Sequence, residues 1–233
     1  MKEKIIGIIG GMGPEATVDV FSKIVAATPS RKDQDHLRII IDNNPKVPSR
    51  FKFIMGEGED PLPLLIGMAE KLERYGADLL LIPCNAAHHF YDEIQKKVGI
   101  PILHIARETR RHLESMSPRP KGVGLMASGS TVKSGVYQEA CRGSGIQLIL
   151  PESKDQRIIS QAIYSFKQRV RGRKIEGELM EVAQSLVNAG AQMIILGCTE
   201  LPLILGKGRR SPIAFVDANQ ILARAAVRMA KSS

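Results

Sequence analysis

Short apolar runs alternate along the chain with longer segments of helical periodicity. Residues 4–9, 78–83 and 122–126 form runs that are short and apolar enough for strands buried on both faces of a sheet. Residues 60–75 and 176–188 instead place apolar side chains three and four positions apart, as an amphipathic helix does. The alternation predicts an α/β fold with mainly parallel sheets and right-handed crossovers.

The strand-like runs of the first half recur in the second half, in the same order and at nearly the same offset. The matching pairs are residues 6–10 with 123–127, GADLLLIPCN at 76–85 with GAQMIILGCTE at 190–200, and 101–105 with 212–216. Such a repeat indicates a duplicated structural unit. We therefore predict two pseudo-twofold-related lobes, each a mainly parallel sheet flanked by helices. The first would comprise residues 1–100 plus 212–233, and the second residues 101–211.

Length and composition set the class of protein. The 233 residues are enough for two cores, and contents of 43% hydrophobic and 24% charged residues are typical of a globular domain in water. The chain has no apolar run of the roughly 18 to 20 residues that a membrane span needs, and its glycine-broken N-terminus does not resemble a signal sequence. We expect a cytoplasmic protein without a membrane partner.

The charge balance favours small acidic ligands over nucleic acid. Lysine and arginine number 33 against 24 acidic residues, a net charge of +9. The chain has no tryptophan, few aromatic residues and no base-reading motif, so nucleic-acid binding rests on the charge alone. A bias toward small anionic substrates explains the charge more simply.

The three cysteines favour reactive thiols over a disulfide framework or a metal site. Cys84 and Cys198 follow the two copies of the repeated strand, whereas Cys141 lies in a predicted helix without a counterpart and is assigned to packing. The odd count argues against a disulfide scaffold. His88 and His89 are adjacent and no C-x-x-C spacing occurs, so no metal site is predicted.

The duplicated cysteines suit the inversion of a stereocentre. Each precedes a polar residue, Asn85 or Thr199, at a predicted helix start, and the helix dipole at Cys84 should lower the pKa of that thiol. If the two thiols faced each other across a cleft, one thiolate could remove a Cα proton while the other thiol protonated the opposite face. The alternative is that both are small buried residues without a chemical role.

Several segments could bind a carboxylate at the carboxyl ends of the strands. The glycine-rich turn at residues 10–15, which contains Met12, would present backbone N–H groups at a helix start, and Arg50 follows the second strand. A hydroxyl-rich loop follows the first strand of the second half and comprises Ser128, Ser130 and Thr131. The alternatives are a solvated arginine and a helix N-cap by Ser130 or Thr131.

Five motifs together resemble one known family. They are GGMGPEAT at residues 10–17, NNPKVPSR at 43–50, PCNAAH at 83–88, SGVYQ at 134–138 and GCTELPL at 197–203. The chain resembles the cofactor-independent aspartate/glutamate racemases from end to end, and its pattern is most similar to that of the aspartate racemases.

The resemblance implies a set of roles for individual residues. It implies that Cys84 and Cys198 are the catalytic thiols, that Asn85 and Thr199 hold the substrate α-carboxylate, and that Arg50 meets the side-chain carboxylate. It also implies a lysine after a helix, for which Lys167 is the candidate and Arg169 or Arg171 the alternatives. We count Met12 and Glu200 among the substrate-binding residues as well. The family is typically homodimeric and uses neither pyridoxal phosphate nor a metal.

Two departures from the family pattern bear on the substrate. Ala86 replaces a threonine of the usual PCNTAH, and Ser49 and Phe51 replace the aspartate and the threonine of the usual PDRT, on either side of Arg50. Loss of one substrate hydrogen bond typically costs about 0.5 to 1.5 kcal/mol, which weakens binding without abolishing it. We expect an isomerase that interconverts L- and D-aspartate, with glutamate as a further substrate. The alternatives are another reaction on a small dicarboxylate, such as maleate isomerisation, and a non-catalytic ligand-binding relative.

Overall fold

The computed structural model describes residues 3–206 and 212–231, which form two compact units. The first unit contains the described residues up to Glu108 and those from Asn219 onward, and the second contains Thr109–Ala218. The boundaries predicted from the sequence lay at residues 100 and 211. The second of these adjoins residues 207–211, which are outside the described part of the chain.

The first unit is built on a four-stranded parallel sheet with the order β2-β1-β3-β4. Its strands are β1 (Ile6–Gly10), β2 (Ile39–Asn43), β3 (Leu79–Leu81) and β4 (Ile102–Leu103). Its helices are α1 (Pro14–Ala27), α2 (Arg50–Met55), α3 (Leu62–Arg74), α4 (Tyr91–Gln95), the start of α5 (Ile105–Glu114), α11 (Ala218–Lys231), and 3-10 helices at Asp33–Asp35 and Asn85–Phe90.

The second unit has a sheet of the same kind, with the order β6-β5-β7-β8. Its strands are β5 (Gly122–Ala127), β6 (Gln147–Ile149), β7 (Met193–Gly197) and β8 (Phe215–Asp217). Its helices are α6 (Gly129–Ser134), α7 (Val136–Cys141), α8 (Ser153–Lys167), α9 (Arg173–Asn188) and α10 (Leu201–Leu205).

The two sheets confirm the predicted fold class. In each unit the first strand lies second in the sheet, and the third strand pairs directly with it. The matching orders give the internal repeat a structural basis, because equivalent sequence runs occupy equivalent strands. Crossovers between the parallel strands are helical, as parallel pairing requires.

Each sheet is covered on both faces and holds one of the duplicated cysteines at the margin of its core. The central strands β1 and β5 are buried along their whole length, whereas the edge strand β2 is partly exposed. Cys84 belongs to the first core with Ile82 and Phe90, and Cys198 belongs to the second with Leu196 and Leu201. Burial of apolar strands and helix faces provides most of the stability of such units.

Three local features differ from the sequence-based expectation. The segment after Pro48, expected as an extended loop, becomes helix α2 at Arg50, because the Ser49 hydroxyl accepts a hydrogen bond from Lys52 N–H as an N-cap. The predicted helix up to residue 142 is divided into α6 and α7 at Gly135, which has a φ of 71°. The N-cap of α6 is Ser128, and not Ser130 or Thr131.

Across residues 3–206 and 212–231, none of the helices combines the length and the apolar composition that crossing a bilayer requires.

Candidate active site

In the first unit, the glycine-rich turn and Cys84 leave the same edge of the sheet. Strands β1 and β3 are parallel neighbours, with Ile8 paired to Leu81. Gly11 and Cys84 each lie three residues beyond that pair, so both follow the carboxyl ends of adjacent strands. Ligand sites of open α/β sheets lie at this edge.

The backbone of Cys84 is fixed by local hydrogen bonds. Its N–H donates to the Ile82 carbonyl at 2.8 Å, and its carbonyl accepts from Ala87 N–H at 3.2 Å. Cys84 is also the N-cap residue of the 3-10 helix Asn85–Phe90, and only 7% of its surface is exposed. The thiol is therefore carried by a rigid turn at the edge of the core.

His88 anchors this turn, a role that the sequence analysis missed. Its Nδ1 lies 3.0 Å from the Cys84 carbonyl oxygen, and its Nε2 accepts from Ile105 N–H at 3.1 Å. Because Nε2 is an acceptor, the ring proton is on Nδ1, which donates to Cys84. The four-residue spacing of Cys84 and His88 in a helical turn was the available signal, but His88 was considered only as a metal ligand.

The stability of the first unit should depend on the neutral state of His88. Burial lowers the pKa of His88 from 6.5 to about 4, so the folded state disfavours its protonation. Stability from this group is fully present above pH 6.5 and is lost as pH falls toward 4. Between pH 7 and pH 5 we expect the unfolding free energy to drop by about 2 kcal/mol from His88. Urea unfolding at the two pH values measures this drop.

A histidine variant separates this effect from that of other groups. Replacing His88 with glutamine should reduce the difference between pH 7 and pH 5, although His104, whose pKa burial lowers to about 2, still contributes in the same direction. Replacing the exposed His89 with glutamine should leave the pH dependence unchanged. An unaltered slope in the His88→Gln protein would contradict the assignment.

Arg50 lies at the same edge, next to the glycine-rich turn. Its Nη1 donates to the carbonyls of Val47 and Pro48 at 3.1 and 2.8 Å, and its Nη2 donates to the Met12 carbonyl at 3.4 Å. Within the described residues its buried Nε has no hydrogen-bond partner. A fixed guanidinium with an unused donor can bind an acceptor such as a carboxylate. Asn85, directly after Cys84, is 3% exposed.

In the second unit, the hydroxyl-rich loop and Cys198 likewise follow neighbouring strands. Ala127 of β5 pairs with Gly197 of β7, so Ser128 and Cys198 are the next residues of the two strands. The expected loop is instead the start of α6: Ser128 is its N-cap, and Ser130 and Thr131 lie in its first turn. The three hydroxyls bond to one another, with Ser128 Oγ 3.0 Å from Ser130 Oγ and 2.9 Å from Thr131 Oγ1. The hydroxyl cluster is thus preformed, and Ser130 and Thr131 are almost fully buried.

Cys198 contacts Glu200, which forms an ion pair with Lys167. In the other copy of the repeat, the position equivalent to Glu200 is the uncharged Ala86. Cys198 Sγ donates to Glu200 Oε2 at 2.9 Å, and the Thr199 hydroxyl lies 3.4 Å from the same oxygen. Lys167 Nζ, from the end of α8, lies 3.2 Å from Glu200 Oε1. Glu200 and Cys198 are 4% and 8% exposed, so the thiol and the carboxylate meet in a largely dry site.

These surroundings keep Cys198 protonated. Burial raises the pKa of the Cys198 thiol well above its usual value, and the Glu200 carboxylate raises it further, while Lys167 acts in the opposite direction. Unlike Cys84, Cys198 is not an N-cap, since α10 begins at Leu201 with Glu200 as its N-cap. The two equivalent cysteines therefore have chemically different neighbours.

Lys167, the last residue of α8 and the first of the basic segment at residues 167–174, contacts the cysteine turn through Glu200. The Arg171 guanidinium carbon lies 3.4 Å from the centroid of the Phe166 ring, and its Nη1 donates to the Phe166 carbonyl at 2.5 Å. Arg171, in the connection after α8, thus folds back onto the last turn of that helix. Arg169, the other alternative, adopts a φ of 62° in the connection to α9.

No group of three or more histidine, cysteine, aspartate or glutamate side chains with the geometry of a metal site occurs among residues 3–206 and 212–231.

Comparison with known proteins identifies the family. Residues 9–226 match the family model described as Asp/Glu/Hydantoin racemase. The broad specificity amino-acid racemase RacX of Bacillus subtilis is 29% identical over 230 residues, which cover 96% of each chain.

Two solved structures extend the comparison. The aspartate racemase of Picrophilus torridus superposes with a TM-score of 0.86 at 30% identity, covering 97% of this chain and 94% of the other. An aspartate racemase homologue from Pyrococcus horikoshii, at 24% identity and a TM-score of 0.77 over 98% of this chain and 100% of the other, shares the fold. The predicted resemblance and the predicted isomerase class are thus confirmed, and the chain is an amino-acid racemase that belongs to the Asp/Glu/hydantoin racemase family.

Proposed function

We propose that this protein interconverts the L- and D-enantiomers of aspartate by a two-thiol mechanism without a cofactor, with Cys84 and Cys198 as the proton-transferring groups. The observation that carries the proposal is the equivalence of the two cysteines. Each follows the third strand of its sheet, at the edge where parallel α/β sheets bind ligands.

The chemistry needs one thiolate and one thiol. The thiolate takes the Cα proton, and the electron pair of the broken C–H bond becomes a carbanion delocalised into the α-carboxylate. The opposite thiol then donates its proton to the other face of Cα, which completes the inversion. At the end the two sulfurs have exchanged protonation states, so the enzyme is ready for the product enantiomer. General acid and base catalysis of this kind typically contributes about 10² to 10⁴ in rate.

Polar groups around each cysteine suit an amino-acid substrate. Asn85 and Thr199 follow the two thiols directly and are candidates for the α-carboxylate. Arg50, with its unpartnered Nε, is the candidate for a side-chain carboxylate in the first unit. The hydroxyls of Ser128, Ser130 and Thr131 offer further hydrogen bonds in the second.

Aspartate is the proposed substrate because of the basic groups at the two strand edges and the similarity to the aspartate racemase of Picrophilus torridus. The similarity to a broad specificity racemase motivates testing other amino acids in parallel. Ala86, which supplies no hydroxyl, is consistent with a site that is less selective for its ligand.

Incubation of the purified protein with L-aspartate in D₂O tests the proposal. We expect D-aspartate to accumulate toward an equal mixture and deuterium to appear at Cα, without added cofactor. A panel of acidic, basic and neutral amino acids in the same assay defines the substrate range. If no amino acid is inverted and none acquires deuterium at Cα, the protein is not a racemase of this kind.

The homodimer implied by the family resemblance and the cytoplasmic location expected from the sequence stay proposals. Helix α1 turns Val18, Phe21 and Val25 to solvent at helical spacing, with exposures of 68%, 41% and 38%. An apolar helix face of this kind is suited to an interface. The molar mass from light scattering distinguishes a dimer from a monomer.

A further inference from the structure

We propose that Glu200 and Lys167 act on the protonation state of Cys198 rather than on the substrate alone, so that Cys198 begins the reaction as the thiol that donates its proton. This inference rests on the two-thiol function proposed above. It gives both residues a role that differs from the substrate binding predicted from the sequence.

The hydrogen bond between Cys198 and Glu200 has a defined direction. An ionised carboxylate can only accept, so the proton shared between Cys198 Sγ and Glu200 Oε2 at 2.9 Å is on sulfur. If Cys198 lost that proton, two anions would face each other at hydrogen-bond distance in a site from which water is largely excluded. Like charges so placed disfavour ionisation of the second group. Glu200 thereby holds Cys198 as a thiol until another base or carbanion takes the proton.

Lys167 contacts the other oxygen of the Glu200 carboxylate. Its ammonium group lies 3.2 Å from the other carboxylate oxygen, so the negative charge of Glu200 is compensated on the side away from sulfur. After Cys198 has donated its proton, the same ammonium offsets part of the new negative charge. Glu200 thus favours the thiol before transfer, and Lys167 limits the cost of the thiolate after transfer.

The two copies of the repeat differ in charge next to the cysteine. The position equivalent to Glu200 is Ala86, two residues after Cys84, which has no charge at all. The neighbour that fixes the Cys84 turn is instead the neutral His88. Since the two-thiol reaction needs one sulfur in each protonation state, this difference assigns the initial donor to Cys198 and the initial base to Cys84.

Two substitutions that remove charges of opposite sign test the inference. Glu200→Gln removes the negative charge while keeping the shape of the side chain. Lys167→Met removes the positive charge from a side chain that is 47% exposed, so this variant should fold as the wild-type protein does. Lys174→Met is the matched control, because Lys174 is in the same basic segment, is 88% exposed and pairs with Glu178 instead.

The measurement is the rate of alkylation by iodoacetamide at Cys198 as a function of pH, with each cysteine resolved by peptide mass spectrometry. We expect Glu200→Gln to accelerate Cys198 modification at pH 8 by about tenfold or more, with the midpoint of the pH dependence moving downward. Lys167→Met should slow the modification severalfold, and Lys174→Met should leave it unchanged. The rate at Cys141 serves as an internal reference in every protein.

The outcomes separate this inference from the proposed function, because alkylation does not require turnover. Opposite changes in the Glu200 and Lys167 variants support control of Cys198 by the pair, whether or not the protein inverts amino acids. Equal rates in wild type and Glu200→Gln, or equal effects of Lys167→Met and Lys174→Met, overturn the inference even if the protein is an active racemase.

Discussion

Replacing either Cys84 or Cys198 with serine should reduce amino-acid inversion by about a thousandfold or more, while replacing Cys141 with serine should leave it nearly unchanged. A serine hydroxyl is far less acidic than a thiol, so it can neither ionise to accept the Cα proton nor release a proton readily. Cys141 lies in α7 and packs in the core of the second unit without a matching residue in the first. The rate of D-aspartate formation measures the loss.

The variants Cys84→Ser and Cys198→Ser should also differ in the enantiomer whose Cα hydrogen they still exchange. In the two-thiol mechanism the remaining sulfur still faces the Cα proton of one enantiomer, so each variant should exchange deuterium into that enantiomer without inverting it. Cys84→Ser and Cys198→Ser should therefore label opposite enantiomers in D₂O. A variant that retains full inversion would show that its cysteine is not one of the two catalytic groups, and labelling of the same enantiomer by both variants would contradict their opposed roles.

Replacing Gly11 with alanine should destabilise the protein by about 3 kcal/mol or more, which is a large part of the stability of a typical domain. Gly11 has a φ of 92°, and a Cβ built on it would lie 2.3 Å from the backbone carbon of Asn44 and 2.4 Å from its oxygen. Backbone atoms cannot rotate away as a flexible side chain can, so the turn after β1 would have to open. Hydrogen bonds also hold this turn. The Met12 carbonyl accepts from Arg50 Nη2, and Gly11 N–H donates to the Thr17 hydroxyl at 2.9 Å.

Gly76 provides the matched control for this prediction. Its φ of 91° is nearly the same, but a Cβ there would meet nothing within 4 Å. Gly76→Ala should therefore cost only the left-handed backbone strain of about 1 to 2 kcal/mol. Urea unfolding of both variants isolates the effect of the close approach to Asn44, and equal destabilisation would show that this approach is not needed. Activity should fall with stability only in Gly11→Ala, because Gly11 and Cys84 follow neighbouring strands.

Local sequence patterns were sufficient for the fold class but not for every boundary. Continuous apolar runs predicted β1, β3, β5 and β7, because strands buried on both faces need no polar alternation. Helix α2 was missed because a serine N-cap at Ser49 competes with a proline-rich context that suggests an extended chain. Gly135 was not recognised as a helix break, although its left-handed φ separates α6 from α7.

The candidate site was predictable where chemistry coincides with a strand end. Cys84 and Cys198 could be singled out because the repeat places both at equivalent positions, and the residues proposed to bind substrate beside them follow within one or two positions. The catalytic roles of these residues stay predictions until the experiments above are done. For His88 the sequence offers only its four-residue spacing from Cys84, because its second partner, Ile105, lies on a different element.

The sequence by itself determined the alternation of strands and helices, the duplication of the cysteine turn and the membership of a family, since these depend on short-range periodicity and on the residues of contiguous motifs. Only the tertiary structure decided that Lys167 reaches Glu200, that Glu200 accepts from Cys198, and that Arg171 turns back onto Phe166. The physical reason is that these contacts depend on the packing of α8 against a distant strand end and on the path of one loop. No local sequence pattern predicts which of the neighbouring cations Lys167, Arg169 and Arg171 contacts Glu200.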